Sequence, residues 1–285
     1  MVSIKKKVRG KKEYYYLEQS IRDGRRIIKK EVYLGTEIPY DIDSIKAKFE
    51  KELKLPLYEK LDKIKKNFQA EWKKLPKSAR ERELDEIAIA FTYNTNALEG
   101  STITLEETRE ILQDKIAPNK PLRDIKETEA HAKIFLEMLQ KKENISNELI
   151  LEWHKKIFGQ TKQDIAGKYR EYLVHVGSYY PPDWQDIEKM MGELIVFINK
   201  NKKMNSVELS ARAHYKFEKT HPFGDGNGRI GRLLMNYILW YDNYPMLIIE
   251  YKKRRSYYKA LQKDEEGFVS YFIRRYLAVH KSKID

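Results

Sequence analysis

Residues 221–232 read His-Pro-Phe-Gly-Asp-Gly-Asn-Gly-Arg-Ile-Gly-Arg, and their types and spacing suit proton chemistry beside a polyphosphate. Gly224, Gly226 and Gly228 let the backbone turn sharply and approach a ligand closely. Ile230, Leu233, Leu234, Tyr237, Ile238 and Tyr241 follow at helical spacing and predict a helix with one buried face. The turn therefore opens onto a helix N-terminus, where free N–H groups and the helix dipole favour an anion. Arg229 and Arg232 form an i, i+3 pair whose planar heads fit phosphate oxygens. Asp225 offers an oxygen where Mg2+ would bridge phosphates. His221 can accept a proton at neutral pH. Asn227 offers an amide to orient a phosphate or cap the helix.

The run resembles the core motif of the Fic family, HxFx[DE]GNGRxxR, at His221, Phe223, Asp225, Gly226, Asn227, Gly228, Arg229 and Arg232. The flanking Ala213-His214-Tyr215-Lys216-Phe217-Glu218 and Leu233-Leu234-Met235-Asn236 look like this family too, and the resemblance covers about residues 80–275. It implies transfer of AMP from ATP to a hydroxyl side chain of a protein target, or in some members its removal. By position, His221 resembles the base that takes the hydroxyl proton, and Asp225 the Mg2+ ligand. Gly226, Asn227, Gly228 and Arg229 resemble the cradle of the α- and β-phosphates, and Arg232 the holder of the γ-phosphate. Ile230 and Gly231, inside the run, count with the nucleotide-binding positions. Phe223 is expected to plug the loop onto the core. Phosphoryl-type transfer needs mainly positioning and charge neutralisation, which agrees with these residue types.

Residues 95–100, Thr-Asn-Ala-Leu-Glu-Gly, close a helix expected to open at Ser78 and Glu81 with capping-box spacing and to stop at Gly100. A carboxylate at a helix C-terminus is poorly placed against the dipole, so Glu99 calls for a cationic partner. The segment resembles the inhibitory motif [ST]xxxE[GN] of Fic proteins at Thr95, Glu99 and Gly100. The resemblance implies a pair between Glu99 and Arg232 that keeps the arginine from a γ-phosphate. In some relatives the same glutamate supports removal of AMP.

Residues 167–182 alternate around Val174 and Val176 between turn residues and predict a short hairpin whose edge can pair with an extended target. The stretch resembles the Fic flap, with Leu173, Val174, His175, Val176 and Gly177 on the nucleotide side. His175 alternates away from its neighbours and suits the flap surface better than catalysis. Tyr257 and Tyr258 match paired tyrosines that help hold the nucleotide in relatives, by stacking or a hydroxyl contact, with core packing as the other option. Where some relatives have an asparagine seven residues on, this chain has Glu265.

Composition narrows the classes. The 285 residues are 41% hydrophobic, enough for a core, and contain no run of about 18 apolar residues. Zero cysteines and the absence of a signal-like N-terminus point to a cytoplasmic protein without disulfides or thiolate metal sites. The six histidines show no zinc spacing. A net charge of +13 would suit an acidic partner, but the charge is spread along the chain and no nucleic-acid motif appears.

The positioning elements follow. Residues 1–38 carry β-type runs at 3–9, Tyr14 to Leu17 and Ile27 to Leu34, with a turn signal at Asp23-Gly24, and predict a small three-stranded sheet. Its bases Lys5, Lys6, Lys7, Arg9, Lys11 and Lys12 could meet nucleic acid, though a structural or homodimer-forming sheet fits better. Residues 39–76 read as a helical spacer broken at Pro56 and Pro76. Residues 77–285 read as a helical core, its inhibitory helix at 78–99, with a capping box at Thr104 and Glu107 and helices near 121–142, 147–158, 185–201, 206–219, 229–243, 252–263 and 267–280. The expected architecture is mainly α, with a β-hairpin flap and a small N-terminal β extension. The expected function is an autoinhibited protein adenylyltransferase using ATP and Mg2+ on a Ser, Thr or Tyr hydroxyl of a protein target, itself included. The alternatives are an AMP-removing enzyme working through Glu99 and a nucleic-acid-binding regulator with a Fic domain. No membrane partner is expected.

Overall fold

The computed structural model describes residues 2–23, 26–177 and 179–284. The chain divides into two compact units, Met1–Lys60 and Leu61–Asp285. In the first, β1 (Ser3–Arg9), β2 (Lys12–Asp23) and β3 (Arg26–Gly35) form an antiparallel sheet in the order β1-β2-β3. Leu17 of β2 pairs with Ile4 and Val32 on its two neighbours. It is fully buried with Val2 and Phe49, against Val32, Leu34, Ile42 and Ile45. The β1–β2 turn uses Gly10 at φ +64°. Gly24 of the expected second turn lies outside the described residues. Lys6, Lys7 and Lys29 pair with Glu13, Glu31 and Glu18, so part of the basic charge is neutralised within the sheet.

Helix α1 (Ile42–Lys74) runs unbroken through Pro56, against the expected break there. A proline removes one intrahelical bond; the helix keeps the others, and Phe49 before it and Leu61 and Ile64 beyond it are buried. Pro76 does end it, and α2 (Lys77–Leu98) follows at once. The expected Ser78–Glu81 capping box is absent: Pro76 holds the N-cap position, no side chain caps the helix, and Ser78 already lies inside its first turn. The Thr104–Glu107 box is present, and it starts α3 (Leu105–Arg109), which continues as a π-helical turn over Glu110–Asp114.

The core helices are α4 (Leu122–Gln140), α5 (Asn147–Phe158), α6 (Ile187–Lys200), α7 (Ser206–Thr220), α8 (Asn227–Tyr241), α9 (Arg254–Leu261) and α10 (Glu265–Val279), each within a few residues of its expected range. Helix α8 is the axis, touching α2, α4, α5 and α7. All residues from Asn227 to Leu239 are buried, so the expectation of one buried face is corrected. Met235, Asn236 and Leu239 fill the side that the apolar spacing left open, as in a helix enclosed by protein on every side. The flap is less regular than expected: Val176 and Tyr179 form a single antiparallel bridge, with Gly177 at φ +60°, and Ser178 lies outside the described residues. No helix of the described residues is long and apolar enough to cross a membrane.

Candidate active site

The loop between α7 and α8 gathers the residues of the 221–232 run. Helix α7 ends when His221 takes the left-handed conformation, φ +49°, with its N–H on the Phe217 carbonyl at 2.9 Å. Phe223 then plugs the core. It is fully buried and stacks on the His154 ring at 3.9 Å and 10°. Asn227 closes the loop: its Oδ1 accepts from the Phe223 N–H and its Nδ2 donates to the Phe223 carbonyl, both at 2.8 Å. The Asn227 amide is therefore spent inside the protein, and only its backbone N–H remains for a ligand. Gly226, φ +79°, tolerates no side chain, because a Cβ would meet the Phe158 ring at 2.4 Å.

The first N–H satisfied within α8 is that of Ile230, on the Gly226 carbonyl. The N–H groups of Asn227, Gly228 and Arg229 have no acceptor in the helix, which makes its N-terminus an anion seat. Ile230 and Gly231 face the other way. The Ile230 side chain is fully buried, and a Cβ on Gly231 would strike Glu218 Oε1 of α7 at 2.6 Å. Both positions pack α8 against its neighbours.

Each arginine of the run is buried and already holds a carboxylate. Arg232 Nη2 donates to Glu99 Oε1 at 2.5 Å, Nε to Thr95 Oγ1 at 2.6 Å, and Nη2 also to the Thr95 carbonyl at 3.1 Å. Burial alone would lower the Arg232 pKa; Glu99, together with Tyr257 and Glu218, outweighs it and holds it above the usual range. Glu99 closes α2, with Gly100 at φ +90° after it. Its Oε1 lies 2.1 Å from where a Cβ on Gly228 would be, so the carboxylate rests on the first turn of α8. Arg229 Nη1 donates to Glu127 Oε2 at 2.5 Å, and its head lies over Phe158 at 4.4 Å.

Asp225 keeps its side chain 47% exposed and meets Lys162 at 2.9 Å and Arg229 at 3.6 Å. Burial would raise its pKa, but Lys162 and Arg229 hold it below the usual carboxylate range. It is a hard oxygen donor of the kind Mg2+ prefers. Among the described residues no group of three His, Asp or Glu side chains could hold a metal. A cation there would draw its other ligands from phosphate and water, which is how Mg2+ usually binds. The residues fit Mg2+ with a polyphosphate on those terms. His221 is half-buried, and burial holds its pKa below the ordinary histidine value. It stands neutral at neutral pH, with a nitrogen free to accept a proton.

Four parts of the site carried no sequence signal. Arg170, buried, donates to three carbonyls: His221 at 2.9 Å, Tyr172 at 2.7 Å and Pro182 at 2.7 Å. It ties the flap to the loop that carries His221. His154 Nδ1 accepts from the Gly167 N–H at 2.9 Å, so Nε2 carries the proton that faces the Asp225 carbonyl at 3.0 Å. Glu127 and Lys162 are the others, on α4 and on the loop after α5. The flap side chains Leu173, His175 and Val176 are exposed and Val174 is half-buried. Tyr257 is buried with its hydroxyl 2.8 Å from His214 Nε2, and Tyr258 donates its hydroxyl to the Leu98 carbonyl at 2.7 Å. Both hydroxyls are committed internally, and of the two rings that of Tyr258, 39% exposed, is open to a ligand. Glu265 is held by Arg212 and Lys216. A cavity of about 400 Å³ lined by Phe68, Trp72, Trp240 and Met246 lies elsewhere, since Trp240 is at the opposite end of α8 from the loop.

A central buried helix whose N-terminus carries a glycine loop, two arginines and a neutral histidine defines a helical domain built around an anion seat. Residues 144–239 match the Fic/DOC family, and the chain carries a Fic domain. It is 36% identical over 200 residues to the Protein adenylyltransferase Fic of Nematostella vectensis, covering 68% of this chain and 47% of that protein. It is 33% identical to the protein of the same name from Culex quinquefasciatus, covering 66% and 39%. The chain thus spans about half the length, or less, of the curated relatives it matches. Among solved structures, Fic-1 (residues 134–508) from C. elegans is similar at a TM-score of 0.69 and 27% identity, covering 86% of this chain and 76% of that one. A Fic-domain signalling protein from Bacteroides thetaiotaomicron is similar at a TM-score of 0.68 and 26% identity, covering 79% and 96%.

Proposed function

We propose that this protein is an autoinhibited protein adenylyltransferase that uses ATP with Mg2+ and acts on a hydroxyl side chain of a protein target. The observation that carries the reading is the shared position of an anion seat and a neutral histidine on one loop, with the Glu99 carboxylate resting in that seat. The hydroxyl oxygen of the target attacks the α-phosphorus of ATP. The bond from that phosphorus to the bridging oxygen breaks, pyrophosphate leaves, and His221 takes the hydroxyl proton. The free N–H groups of α8 and Arg229 receive the α- and β-phosphates, and Arg232 is the natural ligand of the γ-phosphate. Mg2+ at Asp225 would neutralise phosphate charge. The backbone of residues 173–175, outside the Val176–Tyr179 bridge, offers pairing groups to an extended target segment.

Glu99 supplies the inhibition. While it holds Arg232 it denies the γ-phosphate its cation and repels the nucleotide from the same end. The named activity of the curated relatives agrees with this reading. The test is intact-mass analysis of the protein and of candidate targets after incubation with Mg-ATP. His221→Ala should reduce AMP transfer by about 10²–10⁴ while ATP binding persists. Transfer at the parent rate in this variant would remove His221 from the mechanism. A Glu99→Gly protein that transfers no faster but no longer strips AMP from a modified target would put AMP removal first.

A further inference from the structure

We propose that Lys162 is a nucleotide-contacting residue that keeps the cation's place at Asp225 until a polyphosphate arrives; this rests on the reading above that the loop binds ATP. Lys162 lies on the loop after α5, outside the family motif. Its Nζ is 2.9 Å from Asp225 Oδ2 and 2.7 Å from Glu127 Oε1, and 4.8 Å from the centre of the Phe158 ring. Its side chain is 17% exposed, at the mouth of the site beside the half-open Asp225.

The charges at this point balance. Lys162 and Arg229 stand against Asp225 and Glu127. A divalent cation that takes Asp225 must displace the ammonium from it. Arg229 is no substitute, since its contact with Asp225 is long, 3.6 Å, and its own carboxylate is Glu127. Most buried lysines could not give up a carboxylate without becoming an unpaired charge. Lys162 can, because Glu127 stays with it. Thr161 Oγ1 donates to the same Glu127 oxygen at 2.9 Å and helps hold that carboxylate in place. A lysine is a compact charge on a flexible stem, so its head can pass from a carboxylate oxygen to a phosphate oxygen at similar distance. The ammonium would then remain beside the phosphates as a second positive charge, whether or not a metal is present.

A lysine that only pins Glu127 to Asp225 predicts something else: loss of stability, with no distinction between metal-loaded and metal-free nucleotide. ATP binding is therefore measured by calorimetry in excess EDTA and in excess Mg2+, on the wild type and in a Glu99→Gly background that empties the seat. In that background ATP should bind in EDTA, and Lys162→Gln should weaken that metal-free binding by about tenfold, the worth of one hydrogen bond to a charged group. With Mg2+ the loss should be smaller. Lys162→Arg, which keeps the charge, should retain most of the metal-free affinity, and melting curves report whether each variant is folded. Equal metal-free affinity in the parent and Lys162→Gln overturns the proposal. So does an equal loss with and without Mg2+, or a parent that binds ATP only with Mg2+. If the parent binds ATP under neither condition, the reading of the loop as a nucleotide site fails, and this proposal with it.

Discussion

Arg229 and Arg232 stand three residues apart on one helix, both buried, each 2.5 Å from a carboxylate. The surroundings of the two carboxylates differ. Glu127 is 7% exposed, comes from the interior of α4, and also accepts from Lys162 and Thr161. Burial would raise its pKa, but Arg229 and Lys162 hold it below the usual carboxylate range. Glu99 is 30% exposed and sits at the C-cap of α2, where the helix dipole works against it. The first pair is a fixed part of the fold that sets Arg229 in position. The second can be opened from the solvent side, because water or a phosphate can reach the charges as they separate. Two identical residue types on one helix thus stand in a closed and an openable ion pair through their partners alone.

The largest effect that would break this contrast is on stability. Glu127→Ala should destabilise the protein by roughly 3–5 kcal/mol, since it leaves Arg229 buried without its carboxylate. It should not raise AMP transfer. Urea denaturation measures the loss, and a cost under about 1 kcal/mol would put Glu127 on the same footing as Glu99.

A smaller cost goes with a gain of function. Glu99→Gly should destabilise by about 1–2 kcal/mol, a charged hydrogen bond discounted for solvent exposure. Thr95 still accepts from Arg232 in that variant. Transfer of AMP should rise, onto the protein itself included, and Mg-ATP should restore the lost melting temperature by supplying the missing anion. A melting temperature that Mg-ATP leaves unmoved would show that Arg232 does not receive the nucleotide.

The mildest effect tests whether the buried histidines, one of them under the charge of both arginines, are neutral in the folded state. Burial together with Arg229 and Arg232 pushes the His131 pKa down to about 3. Burial likewise brings His214 to about 3 and His154 and His280 to about 4. Unfolded histidines bind a proton below about 6.5, whereas these four stay neutral until about 3–4. The unfolded state therefore holds more protons in that window, and stability should rise with pH from about 4 to about 6.5. Glu218, pushed up to about 7 by burial, works the other way as one group against four. Melting temperatures across that range check the sign; a fall with rising pH would mean that the histidines are charged in the fold.

The sequence by itself determined what is local. The twelve residues from His221 to Arg232 are contiguous, so glycine spacing, charge type and helix period were enough to read a loop feeding a helix N-terminus. Helices α4 to α10 were legible for the same reason, because caps and apolar periods act within a few residues. The break at Pro56 was misread because one missing hydrogen bond does not stop a helix with buried residues on both sides. The one-sided burial of α8 was misread because periodicity reports a helix's own pattern and not how many neighbours enclose it. The partners of the site were decided only by tertiary structure. Glu127 lies 102 residues before Arg229, and Arg170 reaches the His221 carbonyl across 51. Charged residues are common at every turn of this sequence, and spacing cannot tell a solvated one from one that packing has stripped of water beside an arginine. Glu99 marked itself through its ill-suited helix end, but its rest against Gly228 depends on how α2 docks on α8. That docking comes from burial of apolar surface around α8, which is set by the whole core rather than by any short stretch of chain.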